Sequence, residues 1–476
     1  MQSLVIIIIF VVAGLVCFAL GRSNKSMPVW AAFAASLAAL ALSINVCVSL
    51  AAGGSDVVSY PWLSDFGARL TFESSKTGGL MVLLTSICSA LLCLFMLNKN
   101  VERSNTFYGL LMLSMAGLVG VFTANNALVF YIFWELALIP VYFLANMYGG
   151  ERRQAVSFKF FIYTFAGSLL LLLGLIYLYS INPENSFEWA SLTKARVLIS
   201  PTTQSWLFWL MFVAFAIKMP IFPFHTWQPD AYEQTYTPVT IVLSALMVKM
   251  GLWAVLHWLQ PIVPAAFHQW QNAVIILCLI GIIYASILAM LQKDMKRVIA
   301  YSSIAHIGLM CAAIFSENTG ATQGAIVQMF NHGINILGMW LLLLYVEERT
   351  NTRELSKLGG LATNNSSFAI FLVLITLANV ALPLTNGFAG ELMMFSGIFS
   401  SGTPHPKVYT ILAGLGVILS AVYSLNLVQK IAYGEAKFDS HAKFSLSANE
   451  FIALGLIVAM ILIFGFYPQA LINFVK

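Results

Sequence analysis

Runs of about twenty consecutive apolar residues recur from one end of this 476-residue chain to the other. A hydrocarbon core of about 30 Å is crossed by about 20 helical residues at about 1.5 Å each. Inside hydrocarbon every backbone amide must find a partner within the protein, and a continuous apolar run of this length does so as a helix. The runs fall near 3–21, 28–52, 78–97, 106–124, 127–149, 156–180, 205–224, 236–259, 272–292, 297–315, 322–346, 367–400, 408–433 and 449–471. An all-α polytopic membrane protein of about 14 transmembrane helices is therefore predicted. Charged residues are only 9% of the chain, against roughly 25% in a soluble domain, so the apolar surface has lipid as its partner. No loop is long enough to hold a soluble domain, which excludes a hidden nucleotide-binding fold. The first run lacks a basic flank and reads as a retained membrane helix rather than a signal peptide.

The loop charges give an orientation. With the N-terminus on the periplasmic side, sixteen of the 24 Lys and Arg residues fall in cytoplasmic loops, among them Lys293, Lys296, Arg297, Arg353 and Lys430. Six fall on the opposite side, so the positive-inside rule is met. The net charge of +5 reflects this bias, and no basic tail or arginine-rich run points to nucleic acid. Six cysteines (17, 47, 88, 93, 278 and 311) lie inside apolar runs without CxxC spacing. They read as small buried hydrophobes, not as iron–sulfur ligands or disulfides.

Two helices are interrupted, the seventh at KMPIFPFHTWQPD and the twelfth at ALPLTNGFAGE, with Pro220 and Pro383 at the breaks. The separation of the breaks by five helices predicts two five-helix repeats of inverted topology. Paired interrupted helices are the best sequence pointer to an ion or substrate pathway in a transporter. The expected domains are N-terminal helices 1–3 (1–104), repeat 1 with helices 4–8 (105–260), repeat 2 with helices 9–13 (261–435) and C-terminal helix 14 (436–476).

Lys218 and Lys249 sit in no loop. Lys218 is in FVAFAIKMPIF, Lys249 in LSALMVKMGLW, Glu135 in VFYIFWELALIPVYF, and Glu391 follows Gly387 and Gly390 in the second half of the twelfth helix. A charge at mid-membrane is unfavourable by about 2.5–3.5 kcal/mol on insertion scales. Packing does not require such charges, since small residues join membrane helices well. Proton handling does: a buried lysine beside a carboxylate takes up a proton, and separation from it favours release. His306 lies nine residues past Arg297, about 13 Å deep, and His332 lies among Asn331 and Asn335. Both can relay protons near neutral pH. His225, Asp230 and Glu233 in PFHTWQPDAYEQ mark a candidate cytoplasmic entrance.

The segments FWELALIPVYFLANMYGGERR, KFFIYTFAGSLL, FAIKMPIFPFHTWQPDA, DMKRVIAYSSIAHIGLM, QMFNHGINILG and NGFAGELMMF resemble the M-type antiporter-like subunits of proton-pumping NADH:quinone oxidoreductase, respiratory complex I. The resemblance runs from about residue 105 to 435. It implies Glu135 and Lys218 as an input pair, Lys249 as the central relay, His306 and His332 on the connecting axis, and Glu391 at the output. Gln228 and Tyr232 stand where the family pattern HTWLPDAH has leucine and histidine, so the entrance departs from that pattern.

The resemblance implies a proton-translocating membrane-arm subunit that binds no cofactor itself. NADH, FMN, iron–sulfur clusters and quinone would belong to partner subunits. The implied partners are L-type and N-type antiporter-like neighbours in a bacterial inner membrane. The competing readings are an Mrp-type cation/proton antiporter subunit, a membrane subunit of a ferredoxin- or hydrogenase-linked relative, and a passive scaffold.

Overall fold

The computed structural model describes residues 1–20, 26–63, 66–435, 437 and 445–476. Arg22, Lys25 and Lys443, three of the basic residues counted for orientation, lie outside the described residues. The helices are α1 (Gln2–Leu20), α2 (Met27–Ala51), α3 (Lys76–Met96), α4 (Ser104–Thr123), α5 (Ala127–Tyr148) and α6 (Arg153–Ile181). The first broken helix follows as α7a (Pro201–Lys218) and α7b (Gln228–Gln234). Next come α8 (Thr237–Ile262), α9 (Pro264–Leu291), α10 (Met295–Phe315) and α11 (Thr319–Thr350). The second broken helix is α12a (Ser366–Asn379) and α12b (Asn386–Phe399), before α13 (Pro406–Ala432) and α14 (Ala448–Phe466). Twelve of these are long and apolar enough to cross a membrane. With the two interrupted helices they correspond to the fourteen runs of the sequence.

Polar residues at the ends of the apolar runs set the boundaries. Asn126 Oδ1 accepts from the Leu128 amide at 3.1 Å, Asp294 Oδ1 from Lys296 at 2.7 Å and Asn318 Oδ1 from Ala321 at 3.1 Å. Each satisfies a donor that the first helical turn leaves open. Ser447 and Glu450 close a capping box at the start of α14.

One feature escapes a hydropathy reading. Between α2 and α3, β1 (Val57–Leu63) and β2 (Ala68–Glu73) pair antiparallel, with Val58 opposite Phe72 and Tyr60 opposite Leu70. The run VVSYPWL is β-branched and aromatic, which suits a strand, but it is too short to register as a membrane segment.

The chain forms two compact units. Unit 1 comprises Met1–Met219 and Leu246–Trp270; unit 2 comprises Pro220–Ala245 and Gln271–Lys476. In unit 1, α4 packs on α1 and α5, α2 on α3, and α6 on α7a. In unit 2, α11 packs closely on α12b and also on α10, while α12b meets α13 and α14. Loop contacts agree with the alternation expected of spans. In unit 1, Asn126 and Thr71 both donate to Glu188 at 2.9 Å, joining the connections before α3, before α5 and after α6. In unit 2, Arg297 bonds Asp230 and Arg353 bonds the Glu233 carbonyl at 2.6 Å, joining α7b, the first turn of α10 and the loop after α11.

The α11–α12b crossing depends on missing side chains. A Cβ on Gly324 would lie 2.9 Å from the Gly390 carbonyl oxygen and 2.9 Å from the Met394 nitrogen. Small residues allow such close backbone approach between membrane helices. A Gly324→Val substitution is expected to destabilise the packing by about 1–3 kcal/mol, the usual range for overpacking. The check is the yield of assembled complex on native gels, which should fall below wild type.

Candidate functional site

In unit 1 the burial of two lysines dominates. Lys218 is the last residue of α7a and is 2% exposed. A helix C-terminus favours a cation through its dipole, and the amine lies 5.1 Å from the centre of the Trp134 ring, within cation–π range. Glu135, next to Trp134 on α5, acts electrostatically on Lys218. Yet Lys218 Nζ makes no hydrogen bond, and one Glu135 carboxylate oxygen is buried without a hydrogen-bond partner. A static ion pair made to lock helices would have closed this contact; here the two charges are neighbours without being clamped.

Lys249 is fully buried on α8. It sits in the α-helical stretch Val248–Ala254, between π-helical segments at Val242–Met247 and Val255–Leu259. Such widened turns are rare and frequently occur at functional sites. Nothing in the apolar pattern of LSALMVKMGLW signals them. Cys88 of α3 is an electrostatic neighbour of Lys249. Gly251 lets α8 close on α7a, since a Cβ there would stand 2.8 Å from the Phe215 carbonyl.

In unit 2 the structure gathers His306, His332 and Glu391. His306 Nδ1 lies 3.7 Å from Glu391 Oε1, and the His306 and His332 rings are 5.2 Å apart between centres. All three are nearly buried, at 7%, 1% and 6% exposure. They come from α10, α11 and α12b, so three helices meet at this cluster. A cavity of about 20 Å³ touches His306, Glu391, Ser420 and Tyr423, enough for a water molecule.

The break between α12a and α12b adjoins this cluster. Ala381 and Leu384 adopt left-handed φ values of 53° and 74°, a backbone form unfavourable for residues with a Cβ by roughly 1–2 kcal/mol each. Side chains of α11 bond backbone carbonyls on both sides of the break: Asn331 Nδ2 donates to Asn386 O at 2.7 Å and Asn335 Nδ2 to Ala378 O at 3.0 Å. The side-chain oxygens of Asn331, Asn335, Asn379 and Asn386 are buried with no protein donor. Four orphaned acceptors around one break are groups that water satisfies.

The candidate entrance residues divide. His225 is buried, its ring stacked on Phe222 at 5.6 Å and edge-on to Tyr284 at 5.4 Å. Asp230 and Glu233 flank Arg297, whose Nη1 lies 3.2 Å from Asp230 Oδ1 and 2.6 Å from Glu233 Oε2. Beside them stands Lys296, assigned to a loop by the charge count but in fact 2% exposed on the first turn of α10. Its amine lies 3.3 Å from Glu347 and donates to the Thr235 carbonyl at 3.1 Å. Thr237 donates to the same Glu347 at 2.9 Å. At the rim, burial pushes the Asp294 carboxyl above its ordinary value, opposed by the Arg353 guanidinium 3.2 Å away.

Sequence reasoning missed Lys296 because a lysine next to an N-cap reads as a loop charge. It also missed Tyr423, whose hydroxyl donates to Ser302 at 3.0 Å. A signal existed there: Ser420, Tyr423 and Ser424 recur at helical spacing in the otherwise apolar stretch 411–425 of α13. Among the described residues no group of three His, Cys, Asp or Glu side chains is placed to hold a metal. The described cysteines are free, five buried and Cys47 partly so.

Residues 124–420 match the family described as "NADH:quinone oxidoreductase/Mrp antiporter, TM". The chain is 37% identical to NADH-quinone oxidoreductase subunit M of Rickettsia conorii over 88% of this chain and 84% of that one. It is 30% identical to the subunit M of Escherichia coli K12 over 98% and 95%. Among solved structures, a chain of respiratory complex I from Thermus thermophilus with bound NADH superposes with a TM-score of 0.89. That match has 27% identity and covers 100% of this chain and 98% of the other.

Proposed function

The chain belongs to the NADH:quinone oxidoreductase/Mrp antiporter family of transmembrane subunits, and from that membership we propose that it is the M-type proton-translocating subunit in the membrane arm of a bacterial complex I. The observation that carries the reading is the His306–Glu391 contact of 3.7 Å, with His332 beside it, beneath a broken helix and against a water-sized cavity. Titratable groups that abut a hydrated break in a membrane are suited to passing protons and have little value as helix glue.

Glu135 and Lys218 form the input pair: the nearby, unclamped carboxylate lets the amine load and unload. Lys249 is the central relay, His306 and His332 carry the proton along the axis, and Glu391 gives it to the output. His225, Asp230 and Glu233 belong to the cytoplasmic mouth, where Arg297 holds the two carboxylates in place. The repeats span 105–260 and 261–435, with the N-terminus periplasmic and the basic loops in the cytoplasm of a bacterial inner membrane.

The chain carries no redox step. NADH, FMN, iron–sulfur clusters and quinone serve in partner subunits, and L-type and N-type neighbours flank this one. An Mrp-like role predicts transport that depends on sodium; ferredoxin- or hydrogenase-linked relatives predict a different electron donor. The purified complex containing this chain, reconstituted in liposomes with NADH and a quinone, is expected to take up protons at the same rate with and without sodium. Proton uptake that requires sodium, or a complex inert to NADH but driven by reduced ferredoxin, would replace the reading.

A further inference from the structure

We infer that Glu391 is also reached from the basic face of unit 2, through a file of small cavities between α10 and α13 closed by an apolar plug at Ile299, Met339 and Leu427. The cavity against Glu391 and His306 has Ser420 and Tyr423 in its wall. Tyr423 is shared with a second cavity of about 10 Å³, lined also by Ser302, Asn379 and Ser424. Ile299, Met339 and Leu427 are shared between that cavity and a third of about 10 Å³, whose walls are wholly apolar and include Met295, Leu343 and Ile431. Beyond it lies a surface bowl of about 750 Å³ with Lys293, Asn426, Gln429 and Lys430 in its walls.

One stripe of α13 borders all four spaces. Ser420, Tyr423, Leu427 and Lys430 are three or four residues apart, the spacing of a single helix face, and span about 15 Å. Along α10, His306, Ser302, Ile299 and Met295 follow the same order. The two inner cavities offer hydroxyls, an amide and a carboxylate. Tyr423 donates to Ser302 between them, and Asn379, a residue 5% exposed, has a buried side-chain oxygen with no protein donor. Each inner space is about what one water needs. The third cavity has nothing to hold a water, and apolar constrictions of this kind gate by dewetting. The file is therefore polar at both ends and shut in the middle, and small side-chain movements of Met339 and Leu427 would open it. Apart from His306 and Glu391, which line the first cavity, none of these plug or wall residues belongs to the relay proposed above; the inference rests on that relay only in taking Glu391 as its proton-carrying end.

The test uses the whole complex in sealed vesicles with cysteine substitutions. Lys430→Cys marks the basic face, while Leu427→Cys and Ser424→Cys probe the file with a small charged methanethiosulfonate reagent added to one side. During turnover both probes are expected to react from the side on which Lys430→Cys reacts. Failure to react, or reaction only from the other side, overturns the path. Separately, Met339→Ala with Leu427→Ala should raise passive proton leak several-fold, and adding Glu391→Gln should return it to the wild-type level. An unchanged leak in the double variant overturns the plug. A leak that persists after Glu391→Gln, with labelling intact, overturns the assignment of Glu391 as the end of the path and leaves the relay itself to the experiments below.

Discussion

The Lys218→Ala complex is expected to assemble normally and to lose proton uptake by about tenfold or more, which is about 1.4 kcal/mol or more of barrier. The side chain removed lies 2% exposed at the end of α7a with no hydrogen bond of its own, so no ion pair is dismantled and α7a keeps its cap. What is removed is the group that binds and gives up the proton beside Glu135. Lys218→Arg separates charge from titration. The guanidinium keeps the positive charge and stays protonated, so this variant should assemble as well as wild type and pump as poorly as Lys218→Ala. If arginine restored pumping, a fixed charge would suffice and the amine would be no carrier.

Glu391→Gln should give a loss of similar size. Glutamine matches the shape of glutamate, so the packing of α12b on α11, set by Gly324 and Gly390, is undisturbed. The amide neither ionises nor accepts the proton that His306, 3.7 Å away, would hand over. Pumping is therefore expected to fall about tenfold with native-gel assembly unchanged, while Glu391→Asp recovers part of it. Equal proton uptake in Glu391→Gln and wild type would remove this residue from the account.

Hydropathy made most of this architecture legible, because a continuous apolar run of about twenty residues crosses hydrocarbon as a helix that satisfies its own backbone, so each span is announced by its length. The breaks at Pro220 and Pro383 were legible for a similar reason: proline lacks the amide that a helix interior needs. The buried charges stood out because lipid penalises them. What the sequence hid depends on the third dimension. The π-helical turns around Lys249 carry no composition signature. Lys296 reads as a loop charge until Glu347 and Thr235, far away in sequence, are seen to enclose it. The hairpin at residues 57–73 follows from pairing that no membrane-length window detects. Asp230 and Glu233 read equally as proton collectors at an entrance or as ordinary loop charges, and their ion pairs with Arg297, more than sixty residues away, could not be read from the sequence.

The most direct measurement concerns Lys249, fully buried between two widened turns. In the reconstituted complex carrying Lys249→Ala, NADH oxidation and proton uptake are recorded together, with subunit content checked on native gels. The account predicts intact assembly with a clear fall in protons taken up per NADH, in turnover, or in both. Wild-type values for both quantities would contradict it, and so would a defect confined to assembly, because either result would make this lysine part of a scaffold.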